Sequence, residues 1–381
     1  RIAELRLKIA GILGYETWAD YVLEENMAKT RKTVNDFLES LMTTSLPFAE
    51  KDVKNVYEYA LNHGFRQIAQ EHGQPSDRLM PWDFSYWSEK YKEAEYSLND
   101  GQLKPYFKLE NCIGAVMGLA ETLYGISFEE RHDIPVYHKD VKVYDVKDKD
   151  GSHLALFYAD FFPRESKRGG AWMTEFRGQR IENGVEQRPL VSIVTNFTKP
   201  TENAPSLLTH DELNTFLHEF GHSLHGMFAE GRYPSLCVDL PSQIMENWAF
   251  EPAFLETFAK DYRTGEVIPG ELLERIVNAK NYLSGYYQVR QLDFGILDMA
   301  WHTLESMTIE FETRVLEPYR VLPYVSGTAI STSFSHIFSG GYSAGYYSYK
   351  WAEVLEADAF SLFEQNGIFD KATAESFRKE I

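Results

Sequence analysis

His218-Glu219-Phe220-Gly221-His222, continued by Ser223-Leu224-His225-Gly226, is the stretch on which the reading of this 381-residue chain turns. Ahead of it, Thr209-His210-Asp211-Glu212 has the form of a capping box, with Thr209 as N-cap and Glu212 at the third helical position. Gly231 follows the last apolar turn as a C-cap. The motif therefore sits inside a helix. Two histidines four apart leave one helical face about a turn from each other and can converge on one tetrahedral ion. Leu213, Phe216, Leu217, Phe220, Leu224 and Met227 supply the apolar surface that holds such a helix still. Glu219, beside the first histidine, can lean toward an open metal position and take a proton from water there. A chance match is expected in roughly one chain per hundred of this length. Placement between caps, mid-helix, favours the metal-site reading over a solvated string of polar residues. His225, one turn further on, is expected to pack or to support a ligand.

A site of this type needs another protein ligand from outside the helix, usually a carboxylate. The next helix is predicted to open near Pro241, a residue suited to a first helical turn, and to run through Ser242-Gln243-Ile244-Met245-Glu246-Asn247-Trp248. Asp239 stands 17 positions after His222 (239 − 222) and Glu246 stands 24 after it (246 − 222). Asp239 also reads as an N-terminal cap. Glu246 also reads as a helical carboxylate, in a segment that Trp248 and Phe250 mark as partly buried. Spacing does not choose between them.

Outward from this centre the chain is mainly helical. Residues 1 to about 62 carry apolar side chains at helical spacing, as do the residues from about 209 to the end, including a long predicted helix over 271 to about 305. Gly73-Gln74-Pro75-Ser76 and Pro81 mark a break followed by a polar, aromatic-rich segment. The period changes to two at Val141–Val146 and again at Leu154–Tyr158, with Lys149-Asp150-Gly151-Ser152 as the turn, and Leu190–Thr195 is a third strand candidate. The expected fold is mainly α, a zincin-type helical body with a small β-sheet. With no repeat and no linker, residues 1–381 read as a single catalytic region, and the abrupt ends suggest a piece of something longer.

Bulk properties agree with a soluble enzyme. The composition is 44% hydrophobic and 25% charged, and the formal charge of −19 argues against nucleic acid as the main partner. No apolar run reaches the roughly 20 residues of a membrane span. Only Cys112 and Cys237 are present, which favours a reducing, cytoplasmic setting, with the periplasm as the other option. A monomer is expected.

Near the C-terminus, Gly340-Gly341 breaks the chain, and Tyr342, Tyr346 and Tyr349 follow at helical spacing, with Tyr342 and Tyr349 two turns apart. Such a phenol could donate to the oxyanion formed when water attacks a peptide carbonyl. Periodicity alone favours an aromatic core stripe.

Three ordered motifs now stand together: His218 to Gly226, Leu240-Pro241-Ser242-Gln243-Ile244-Met245-Glu246-Asn247-Trp248, and Phe334-Ser335-His336-Ile337-Phe338-Ser339-Gly340-Gly341-Tyr342 through Trp351. With them the chain resembles the thimet oligopeptidase family of metallopeptidases, and within it the bacterial peptidyl-dipeptidase branch. The resemblance implies a single zinc ion, short peptide substrates and release of C-terminal dipeptides. It implies that His218 and His222 are ligands, that Glu219 is the general base, and that Tyr342, Tyr349 and His336 bind substrate and stabilise the transition state. Asp239 falls where the family has a glutamate ligand, and Glu246 matches a carboxylate near the metal. The connection at Cys237-Val238 is several residues shorter than the family's, and aspartate is one methylene shorter than glutamate, so the helix would have to sit closer to the ion. That departure motivates the alternative of a non-catalytic or metal-impaired peptide-binding homologue. Lys167-Arg168-Gly169-Gly170-Ala171-Trp172 resembles a segment beside the substrate backbone, and it reads equally as a basic loop.

Overall fold

A computed structural model describes residues 1–230, 240–303 and 309–380. Gly231, Cys237, Val238 and Asp239, on which several of the expectations fall, lie outside the described residues. The chain forms two compact units, each assembled from two separate stretches: Arg1–Ser97 with Asn281–Trp351, and Leu98–Lys280 with Ala352–Ile381. Because both units are discontinuous, no linker marks their boundary, and the sequence presents them as one region.

Among its described residues the first unit has helices as its only regular elements. Its long helix Arg31–Asn62 packs along Ser284–His302, burying Val34, Leu38 and Met42 with Leu292 and Met299. They approach closely at Gly285, where a Cβ would lie 2.6 Å from the Phe48 carbonyl carbon. The predicted helix over 271–305 proves to be two, Gly270–Ala279 and Ser284–His302, broken where the chain passes between units, with Leu283 at φ 53°. Both helices carry apolar faces, so the period runs on through the break although the two faces enter different cores. The segment after the predicted break at Pro81 is also helical, over Pro81–Tyr96. Pro81 occupies the first helical position, where its missing N–H costs nothing, and Asp83 accepts from the Met80 N–H at 3.1 Å.

The second unit holds the sheet. Strands β1 (Ser127–Arg131), β2 (Lys142–Lys147), β3 (His153–Asp160), β4 (Trp172–Arg177) and β7 (Leu190–Val194) are ordered β1-β2-β3-β7-β4, and β5 (Arg180–Glu182) pairs with β6 (Val185–Gln187) as a separate ribbon. Only β3 and β7 run parallel. The predicted hairpin is β2–β3, with Val143 opposite Tyr158. The two edge strands were not legible, because neither Ser-Phe-Glu-Glu-Arg in β1 nor Trp-Met-Thr-Glu-Phe-Arg in β4 is deeply buried, so neither carries an apolar alternation. The helix His210–Phe228 covers one sheet face, with Phe216 and Phe220 edge-on to Phe161 and Phe157 at centroid distances of 5.3 and 5.7 Å. Thus a mainly α chain contributes one small mixed sheet, and that sheet is the floor under the histidine helix.

Candidate metal centre

The histidine helix opens as expected. The Glu212 N–H donates to Thr209 Oγ1 at 3.0 Å, and the Thr209 N–H donates to Glu212 Oε2 at 2.8 Å. It ends at Phe228, with Ala229 in the capping position. His218 and His222 lie one turn apart, their rings 4.9 Å centre to centre and crossed at 81°. Burial, aided by the neighbouring His218 and His225, lowers the His222 pKa to about 3. His222 is therefore neutral at ordinary pH, the form that can coordinate a metal. Glu219 is 8% exposed, on the same helix.

Glu246 ends the helix Leu240–Glu246 and meets the histidine helix side on. Its Oε1 lies 2.6 Å from His218 Nδ1, and its Oε2 accepts from Asn214 Nδ2 at 3.1 Å. A carboxylate can only accept, so Nδ1 carries a proton and, in the neutral ring, Nε2 keeps the lone pair. Asn214, one turn before His218, was not singled out by the sequence; its signal is only the i, i+4 spacing to the first histidine.

Gly221 makes this approach possible. A Cβ there would stand 2.2 Å from the Pro241 carbonyl oxygen and 2.6 Å from Ser242 Cα, so any side chain would drive the two helices apart. The far end of the Glu246 helix is pinned by Trp248, fully buried between Phe360 and Phe363, with Nε1 donating to the Ile368 carbonyl at 3.1 Å. Beside it, Asn247 Nδ2 donates to Glu356 Oε2 at 2.8 Å, and burial raises the Glu356 pKa to about 7.

Among the described residues no three His, Cys, Asp or Glu side chains gather as a metal-holding group. What is described is a histidine pair with a carboxylate on the outer nitrogen of one member. That donor chemistry fits a zinc ion, which takes neutral imidazoles whose second nitrogen is hydrogen-bonded to a carboxylate. Asp239, the other carboxylate candidate, is not among the described residues.

The remaining candidates divide. His225 lines a small cavity with Tyr124, Phe228, Pro241 and Met245, and burial lowers its pKa. Lys167 is engaged within the fold: its Nζ donates to the Asp160 carboxylate and carbonyl and to the Phe162 carbonyl at 2.9–3.0 Å. Arg168 is exposed and lies over the Trp172 ring at 5.3 Å. Tyr342, Tyr349 and His336 belong to the first unit. The tyrosines are not one helical stripe, since residues 343–347 form turns and the helix starts at Ser348. The Tyr342 and Tyr349 rings nevertheless stack at 5.1 Å and 22°, with His336 6.0 Å from Tyr342.

A family model, peptidase family M3, matches residues 1–381, and the chain belongs to that family. The chain is 39% identical to oligopeptidase A of Escherichia coli (strain K12) over 395 residues, covering 100% of this chain and 57% of that protein. It is 38% identical to dipeptidyl carboxypeptidase of Salmonella typhimurium, over 100% of this chain and 56% of the relative. It is 32% identical to saccharolysin of Saccharomyces cerevisiae, over 94% and 53%. The chain thus spans little more than half the length of these relatives, and identity does not separate the oligopeptidase from the carboxypeptidase branch. No helix among the described residues is long and apolar enough to cross a membrane.

Proposed function

We propose that this chain is the catalytic part of a zinc metallopeptidase that hydrolyses short peptides, with His218 and His222 as two ligands and Asp239 as the candidate third. The observation that carries this reading is the 2.6 Å bond from His218 Nδ1 to Glu246, which turns the ring so that Nε2 is the coordinating atom. Glu246 is then an orienting carboxylate. Zinc, when bound, lowers the pKa of a water and polarises the scissile carbonyl. Glu219 takes the proton of the attacking water and passes it to the leaving amine. Tyr342 or Tyr349, with His336, donates to the substrate oxygen as negative charge develops; their part rests on the resemblance of the motif.

Release of C-terminal dipeptides is the finer form of this proposal, and internal cutting is the other. Amidating the C-terminus of a test peptide separates them: dipeptide release is lost, whereas internal cleavage survives. The protein is proposed to act as a cytoplasmic monomer without nucleic-acid or membrane partners. Aspartate at 239 in place of glutamate favours, as a second reading, a peptide-binding homologue with weakened metal affinity. Elemental analysis of the purified full-length protein decides: about one zinc per chain, with peptide cleavage abolished by chelator and restored by zinc, supports the enzyme. Absence of stoichiometric zinc and of turnover overturns it.

A further inference from the structure

Ser284–His302 buries an aspartate that the proposed chemistry does not use. Asp298 is fully buried, and its carboxylate is saturated by donors from its own helix and from the turn after Tyr342. Oδ1 accepts the Ala344 N–H at 2.9 Å and His302 Nδ1 at 2.8 Å, while Oδ2 accepts the Gly345 and Tyr346 N–H groups, both at 2.9 Å. Three consecutive amides on one carboxylate interrupt any helix that the tyrosine spacing would otherwise support. They also hold Ala344 at φ 53°, a left-handed conformation that a residue with a Cβ rarely adopts.

Behind Asp298 the network continues. Arg6 Nη1 lies 2.8 Å from His302 Nε2; a guanidinium can only donate, so Nε2 accepts and Nδ1–H faces Asp298. The same guanidinium donates to the Ile337 carbonyl and, at 3.3 Å, to the Phe338 carbonyl, at the end of the short helix that carries His336. Trp18, beneath Arg6, donates from Nε1 to Ser343 Oγ at 3.0 Å. One partly buried chain of contacts therefore grips both the turn after Tyr342 and the helix of His336.

We propose that Asp298, backed by His302 and Arg6, is the positioning device that sets Tyr342, Tyr349 and His336 in one geometry for catalysis. The proposal rests on the reading of Tyr342 and Tyr349 as substrate-binding groups. Asp298 touches no substrate and acts through the turn. A buried carboxylate suits this role because hydrogen bonds to a charged acceptor are roughly twice as strong as neutral ones, and two oxygens can serve three amides at once. Misplacing a catalytic group by about 1 Å costs on the order of 10²-fold in rate.

The test uses full-length protein and an internally quenched fluorogenic peptide with a free C-terminus. Asp298→Asn keeps the shape but offers an amide donor where three N–H groups need an acceptor. The expected result is kcat lower by about 10²-fold, KM and zinc content little changed, and amide exchange at 344–346 faster by about 10-fold or more while the histidine helix keeps its protection. In a double-mutant cycle the loss should not add to that of Tyr342→Phe or Tyr349→Phe. If Asp298→Asn does not fold, His302→Gln and His302→Leu replace it: glutamine can donate to Asp298 and accept from Arg6, so it should retain most of the kcat that leucine loses. Unchanged kcat, unchanged exchange at 344–346, equal losses in the two His302 variants, or additive losses with functional tyrosines overturn the proposal alone. Full kcat in both phenylalanine variants overturns the tyrosine reading, and the proposal with it.

Discussion

The histidine region and the tyrosine region place their side chains by opposite means. His218, Glu219 and His222 ride on an uninterrupted helix of 19 residues, and their relative positions follow from 3.6 residues per turn. Tyr342 and Tyr349 are separated by turns that include a left-handed alanine, and their stacking depends on a buried carboxylate 46 residues earlier in the chain from Ala344. A helix tolerates local errors because each position is held by its neighbours. A turn held by one carboxylate does not, so the two regions should respond differently to substitution.

The largest expected effect is at the helix itself. Glu219→Gln should lower kcat by roughly 10³–10⁴-fold while zinc stoichiometry, measured by elemental analysis, stays near that of the unaltered protein. Retained turnover would remove Glu219 as the base. Next come the phenols: Tyr342→Phe or Tyr349→Phe should each lower kcat by about 10²–10³-fold with a small change in KM, and a raised KM with unchanged kcat would point to simple binding instead.

Two substitutions sharpen the comparison from the helix side. Gly221→Ala should cost about 1–3 kcal/mol of stability, read by denaturant unfolding, because its Cβ would meet the Pro241 carbonyl. It should also weaken zinc, since the Glu246 helix must withdraw. A stable variant with normal zinc affinity would show that the two helices can shift without cost. Glu246→Gln should weaken zinc by about 10–100-fold, with most activity regained at saturating zinc; permanent loss would instead make Glu246 a ligand.

The smallest effect on turnover is expected at Asp293, on the helix that also carries Asp298. Burial raises its pKa from 3.8 to about 7, only partly offset by Arg290 and Arg320. The folded state therefore holds a proton that the unfolded state has lost, and this contribution is full below about pH 4 and declines as pH rises toward about 7. Asp293→Asn should gain stability over the unaltered chain across that interval, and equal pH slopes by thermal unfolding would discount the shift.

Legibility differed in the same way. The capping box at Thr209, the helix spacing of His218 and His222 and the β2–β3 hairpin were all readable, because each arises from residues within a few positions of one another. The edge strands β1 and β4 escaped, being too exposed to carry a period. The break at 280–283 escaped because two cores share one apolar rhythm.

By itself the sequence determined that a helix bears two histidines and a glutamate in metal-site spacing, since local periodicity and capping suffice for that. Only the tertiary structure decided which nitrogen of His218 faces Glu246, why residue 221 has no side chain, and that Asp298 reaches across to hold the tyrosine turn. These depend on close approach between segments distant in sequence. Such approach is governed by packing and hydrogen-bond satisfaction in three dimensions, for which spacing along the chain carries no signal.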